Sequence, residues 1–97
     1  MSTTIVTHHP AAPAQADVLA ELLAEGRNRM RGAEGCESFD VLRDEDDPRA
    51  VAFLQRWVTH EAHDTAFAER IVQTGHLDKV VAALDEPIVQ HTYQVVA

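Results

Sequence analysis

The sequence predicts an α+β fold of the ferredoxin-like kind, βαββαβ, with one antiparallel sheet and helices on one of its faces. Three observations predict it. Four stretches alternate or run β-branched, helical spacing fills the first and third gaps between them, and a short acidic turn joins the middle two. With 97 residues and 45% apolar content, the chain is read as one domain over residues 1–97. Aromatic content is only 5%, so the core is expected to be built mainly from Val, Leu, Ile and Ala. A core that light leans on a partner.

Thr3 to His8 is the first strand, β-branched at Thr3, Thr4, Ile5, Val6 and Thr7 and stopped by Pro10. Pro13 is expected to open a helix, because its missing N–H is one the first turn does not use. Val18, Leu19, Leu22, Leu23, Gly26 and Met30 then recur at helical spacing, Glu25 and Arg29 stand four apart, and Gly32 is the expected stop. After Gly35 the run Cys36 to Leu42 places Phe39 and Val41 in alternation with Ser38, Asp40 and Leu42. The turn Asp44 to Pro48 follows, and Ala50 to Val58 alternates again, so the two runs form a hairpin. The period of two sorts Val51, Phe53, Gln55 and Trp57 onto one face of that strand and Ala52, Leu54, Arg56 and Val58 onto the other.

Thr59 is an N-cap for a helix from His60 to about Arg70, with Glu61 and Asp64 near its positive end. A short second helix, about His76 to Leu84, follows Gly75 and ends before Pro87. Ile88 to Val96 is the last strand, with Val89, His91, Tyr93 and Val95 on one face and Gln90, Thr92, Gln94 and Val96 on the other. If helices cover one face of the sheet, Leu54, Val58 and their neighbours remain on the other. An apolar face of that kind invites a second subunit, so a homodimer is expected.

Charge and cysteine content narrow the partners. A formal charge of −8 repels polyphosphate and anionic lipid, which argues against nucleic-acid binding and membrane docking. No basic start with an apolar stretch marks a signal peptide, and no run approaches the roughly 20 apolar residues of a membrane span. Cys36 is the only cysteine, as expected in a reducing compartment, and the protein is read as cytoplasmic. With no fixed cation placed to lower its pKa, Cys36 reads as a small buried apolar residue and not a nucleophile.

The segment Gly35-Cys36-Glu37-Ser38-Phe39-Asp40-Val41, the turn Asp44 to Pro48, and the run Phe53-Leu54-Gln55-Arg56-Trp57-Val58-Thr59-His60-Glu61-Ala62-His63 resemble the antibiotic biosynthesis monooxygenase domain family. Members show a Gly-Cys strand followed by an aromatic residue, an Asp-Pro turn, a strand ending in Trp and a helix opening on Glu-Ala. The likeness extends from the first strand to the Tyr93 strand. It implies a dimeric α/β barrel, in which two ferredoxin-like sheets pack face to face, with a pocket between each sheet and its helices. It further implies oxidation of phenolic or quinol-type aromatics by molecular oxygen without flavin, haem or metal, so no cofactor is expected.

Trp57 matches the family's pocket Trp and stands as a flat apolar wall with one N–H donor, or else as core filling. Gln55 lies on the same face, where a buried amide needs a partner: a ligand oxygen, a carbonyl or water. His63 and Phe67 share a helix face, and His63 is the expected general base, with an ordinary exposed polar residue as its competing reading. His63, Gln55 and Trp57 are thus the catalytic candidates, with Phe53, Phe67, His91 and Tyr93 as substrate-binding candidates. For His91 and Tyr93 the choice between pocket and dimer seam is open. His60 and His63 stand three apart, but HEAH is one residue short of the HExxH zinc motif and spacing fixes no third ligand, so no metal is expected.

Two departures bear on activity. The oxygenase members of that family use an Asn on the strand bearing the Trp, whereas the only Asn here is Asn28 on the first helix. Where the haem-degrading branch has a His ten residues past its Trp, this chain has Phe67. The expected function is a cofactor-independent monooxygenase acting on a small aromatic molecule and molecular oxygen. The alternatives are a non-catalytic ligand-binding or regulatory dimer, and a dimerisation module without a ligand.

Overall fold

The computed structural model describes residues 2–97. Its elements run β1 (Thr3–Pro10), α1 (Ala16–Met30), β2 (Cys36–Arg43), β3 (Ala50–Trp57), α2 (His60–Phe67), a π-helical turn (Ala68–Val72), α3 (His76–Ala82) and β4 (Val89–Gln94). The strands form one sheet in the order β2-β3-β1-β4, and each neighbouring pair is antiparallel. This is the ferredoxin-like arrangement the alternation predicts, with the helices gathered on one face.

Register decides which side chains meet the helices, because directly opposed residues in neighbouring strands share a face. Phe39, Gln55, Ile5 and Thr92 form one row across the sheet, and Val41, Phe53, Thr7 and Gln90 the next. These rows face the helices. The alternate rows, Asp40–Leu54–Val6–His91 and Leu42–Ala52–His8–Val89, lie on the opposite, open face. Leu42, Val58, Val89 and Tyr93 are each about half exposed.

The core falls into two packed groups. One holds Ile5, Met30, Phe39, Trp57, Ala66 and Ile71, and the other Leu19, Leu23, Val51, Val80 and Ala83. Phe53 packs against both groups, so it sits at their seam.

Three local readings change. Pro13 does not open α1: the N–H of Gln15 donates to the Ala12 carbonyl at 2.9 Å and Ala14 has φ 66°, so Ala12 to Gln15 is a turn. Proline is favoured at its second position and a positive φ is required at its third, which delays the helix to Ala16. The first helix does end just before Gly32, as expected, but Gly32 does not take the left-handed conformation. Arg31 caps the helix in right-handed conformation, and the left-handed residue before β2 is Gly35, φ +88°. Finally, the helix after Thr59 widens after Phe67, where the Gln73 N–H reaches back to the Ala68 carbonyl at 2.9 Å. Thr59 itself caps α2 as expected, its hydroxyl accepting from the Ala62 N–H at 3.1 Å.

Gly35 joins α1 to the sheet at a point where no side chain fits. A Cβ there would lie 2.7 Å from the Ala62 Cβ and 2.9 Å from the Val58 Cγ2. Gly35→Ala therefore combines left-handed strain with overpacking and is expected to cost about 2–4 kcal/mol. Thermal unfolding should show a midpoint lowered by roughly 10 °C or more. Gly32→Ala, which meets nothing within 4 Å, is expected to leave the midpoint nearly unchanged. Equal midpoints for the two variants would contradict this account of the β2 entry.

Candidate active site

Between the helices and the sheet, where the two core groups meet, lies a cavity of about 70 Å³. Phe39, Phe53, Phe67, Met30 and Leu77 supply much of its apolar wall, while Gln55, His63, His9 and His76 supply polar atoms. Neither Lys, Arg, Asp nor Glu lines it. These four side chains are deeply buried, at 3% exposure for Gln55, 5% for His63, 3% for His9 and 2% for His76, and Thr7 and Gln90 add further polar groups to the wall.

Gln55 is held from below. The Trp57 indole N–H donates to Gln55 Oε1 at 2.9 Å. An indole nitrogen only donates, so the amide oxygen must face it, and the amide nitrogen is turned the other way. That NH2 has no hydrogen-bond partner among the described residues. Gln55 therefore offers two N–H donors at a cavity wall.

His63 is held from the side. Its Nδ1 lies 3.0 Å from Asp64 Oδ1, and since a carboxylate accepts, Nδ1 carries the proton and Nε2 is left as an acceptor. Burial pushes the imidazole below its ordinary pKa, while the bond to Asp64 and its charge pull the other way. His63 is accordingly neutral near pH 7. The hydrogen bond from His63 in turn holds the Asp64 carboxyl below its usual range. The Trp57 ring meets His63 edge-on at 5.5 Å between centroids, and Phe67 stacks on its other side at 5.8 Å.

The structure thus brings together Gln55, His63, Phe53 and Phe67. Trp57 is wholly buried and does not line the cavity, so its place is beneath Gln55 and beside His63 instead of in the wall. His91 and Tyr93 are not brought to the cavity. Opposite Val6 and Thr4 in register, they lie on the open face, and the β4 side chain that reaches the cavity is Gln90, whose Oε1 accepts from the Thr7 hydroxyl at 3.1 Å.

Sequence reasoning passed over His9 and His76 as cavity residues. His9 follows Thr7 by two on β1, so alternation alone places it on the helix face. Its Nδ1 lies 3.3 Å from the Val51 carbonyl; burial lowers its pKa to about 4. His76 Nε2 donates to the Leu22 carbonyl at 2.8 Å, across the bare face of Gly26, and no local pattern signals that contact. As to metals, His60, His63 and Asp64 are the one group of this kind among the described residues, their ligand atoms within 4.8 Å of one another. Asp64 supplies the third donor that spacing left unfixed. In the structure both imidazoles already bond to its carboxylate.

The family model described as antibiotic biosynthesis monooxygenase matches residues 2–76. No curated protein matches the chain. Among solved structures, the chain is similar to Rv0793 from Mycobacterium tuberculosis, at TM-score 0.88 and 16% identity over 100% of this chain and 97% of that one. It is similar to PA3566 from Pseudomonas aeruginosa, at TM-score 0.86 and 20% identity over 99% and 95%. SnoaB, a cofactor-independent oxygenase from Streptomyces nogalater, matches at TM-score 0.82 and 17% identity over 99% and 94%. At these identities the likenesses show a shared fold.

Burial of His9 has a consequence for stability. Its folded pKa, about 4, lies below its ordinary 6.5, so between those values the unfolded chain binds more protons than the folded one. The contribution is fully present above pH 6.5 and is lost as pH falls towards 4, an effect of about 3 kcal/mol. His63 acts with the same sign. Urea midpoints measured from pH 7 to pH 4.5 are expected to fall steeply, and His9→Gln should flatten that slope. An unchanged slope in the variant would mean that His9 is not buried neutral.

Proposed function

We propose, from the premise that this chain belongs to the antibiotic biosynthesis monooxygenase family, that it is a cofactor-independent oxygenase acting on a small phenolic or quinol-type aromatic. The observation that carries the reading is a hydrogen-bond acceptor on a neutral imidazole and a free amide donor at one apolar cavity. His63 Nε2 takes the proton of a substrate hydroxyl while Asp64 steadies the imidazolium that forms. Gln55 Nε2 donates to the oxygen that has lost its proton. The electron-rich ring then passes electrons to molecular oxygen, a C–O bond forms at a ring carbon, and the peroxide so made loses water to leave a quinone. Phenol plus O2 gives quinone plus H2O, so atoms and electrons balance without another reductant. SnoaB, whose fold this chain shares, is a cofactor-independent oxygenase.

Trp57 acts in this scheme through Gln55 and His63 and is a positioning residue. Phe53 and Phe67 hold the ring and exclude water. No helix among the described residues is long and apolar enough to cross a membrane, and a cytoplasmic location goes with this reading. A second reading keeps the cavity and drops the chemistry, leaving a ligand-binding or regulatory protein. It is favoured by the position of Asn28, which is exposed on α1, away from the cavity.

Oxygen uptake with a panel of hydroquinones and naphthols tests the enzymatic reading. His63→Ala is expected to lower turnover by about 100-fold or more, and Trp57→Phe to lower it by roughly tenfold through loss of the Gln55 anchor. If no substrate gives turnover that both variants reduce, the protein is not this kind of oxygenase.

The open sheet face is proposed to pack against that of a second copy, giving the homodimeric barrel. Leu54 stands in the middle of that face, between Val6 and Asp40. Light scattering on the purified protein should give twice the mass of one chain, and Leu54→Glu should give the mass of one. A monomeric parent protein would exclude the barrel.

A further inference from the structure

His63 has a second nitrogen that the proposed proton transfer does not use. Its Nδ1 is directed at Asp64, whose Oδ1 lies 3.0 Å away. The other oxygen of the same carboxylate lies 3.1 Å from His60 Nδ1. His60, His63 and Asp64 stand at i, i+3 and i+4 on α2, so one side of the helix carries all three. Two imidazole nitrogens and a carboxylate therefore converge, with ligand atoms of the three side chains within 4.8 Å of one another.

The spacing suits an ion. Two ligands set at right angles on a metal, each about 2.1 Å from it, stand about 3 Å apart, and both imidazole–carboxylate separations already have that value. His63 is the fixed ligand, buried with its ring between Trp57 and Phe67. His60 and Asp64 are exposed, so an ion reaches the site from solvent and only these two side chains need to close on it, which limits the order lost on binding. Two imidazoles and one carboxylate favour zinc and the other borderline transition ions over Mg2+ or Ca2+, which take oxygen ligands. Charge acts both ways. The positive end of α2 opposes a cation, whereas Asp64, Glu61 in the same first turns and the formal charge of −8 attract one.

We propose that His60, His63 and Asp64 bind one divalent transition ion of the zinc class, and that this ion turns His63 from a hydrogen-bond acceptor into a donor at the cavity. The ion takes a lone pair on His63 Nδ1, where the bond to Asp64 holds a proton in its absence. The neutral ring keeps its single proton, which moves from Nδ1 to Nε2. The nitrogen that would take a substrate proton then carries one itself. The ion is thus a regulator and not a resident cofactor, because the proposed chemistry needs Nε2 open. Only this effect on turnover rests on the reading of His63 as the base; the site itself does not.

Calorimetric titration of the untagged, chelator-treated protein with Zn2+ tests the site. One ion per chain is expected, and His60→Ala and Asp64→Asn should each weaken it by roughly tenfold or more. Both positions are exposed, so both variants should unfold at the parent's midpoint, which separates a lost site from a lost fold. His8 and His91, whose rings lie 6.4 Å apart on the open face, are the control: His8→Ala should leave the zinc affinity as it is. No binding of Zn2+, or binding weakened by His8→Ala and not by His60→Ala, overturns the site. Nitrogen-15 spectra of labelled histidine then read the tautomer of His63, whose Nε2 is expected to be unprotonated without zinc and protonated with it. Bound zinc with Nε2 still unprotonated overturns the switch. Where oxygen uptake is observed, Zn2+ should depress it in the parent and not in His60→Ala. Zinc binding with the tautomer change, in a protein that takes up no oxygen, supports this proposal and removes only the oxygenase reading.

Discussion

The hydrogen bond from the Trp57 indole to Gln55 Oε1 fixes the polarity of the whole cavity. Trp57 and Gln55 stand two apart on β3, so their side chains rise from the same face and meet at 2.9 Å. Because the indole has no lone pair to offer, the glutamine has one admissible orientation, with its NH2 directed away. A phenylalanine in place of the tryptophan would leave the amide free to turn, and the wall would present donor and acceptor interchangeably. The same ring packs edge-on against His63, so one buried side chain positions both groups of the proposed chemistry. The chain has a single Trp, and its place beneath the site accounts for why the largest side chain of an aromatic-poor protein is wholly buried.

A cavity at this point follows from how the core is divided. Two packed groups of apolar side chains meet at Phe53, and the histidines lie along their border rather than inside either group. His76 reaches the Leu22 carbonyl beside Gly26, one helical turn on, where a Cβ would lie 3.4 Å from His76 Nε2, in close contact with the ring. His9 sits beside Phe53, their rings edge-on at 4.8 Å. His76 satisfies the Leu22 carbonyl and leaves its own Nδ1 buried without a partner among the described residues.

Period and spacing carried most of this architecture. Alternation in β3 placed Gln55 and Trp57 towards the helices, and the four-residue step from His63 to Phe67 put the two rings on one face of α2. Register carried the rest, and register is not local. Alternation separated His91 and Tyr93 from Gln90 and Thr92, but only the pairing of Val6 with His91 decides which set meets the helices. His9 escaped notice because Pro10 looks like a strand stop. In the sheet Pro10 pairs with Ala50, and its carbonyl accepts from the Asp85 N–H on the other side. The nitrogen without a hydrogen points to that same side, so no bond to β3 is lost and the strand continues through His9. His76 depended on a contact between α3 and α1, which no spacing within either segment encodes.

The electrostatics of the cavity constrain the chemistry it can support. An ordinary phenol loses its proton near pH 10 and an ordinary imidazole near 6.5, a gap of roughly 5 kcal/mol against transfer. Burial lowers the His63 pKa further, which widens the gap. Asp64 narrows it by holding the imidazolium, and Gln55 narrows it by donating to the phenolate. In a wall without charges the new ion pair is stabilised chiefly by its own closeness. Such a pair is not a resting state. It is reached only transiently, and it leads forward only if the ring gives up electrons to oxygen before the proton returns. The proposed reaction therefore favours rings that are already electron-rich, in which a second hydroxyl raises the driving force for oxidation.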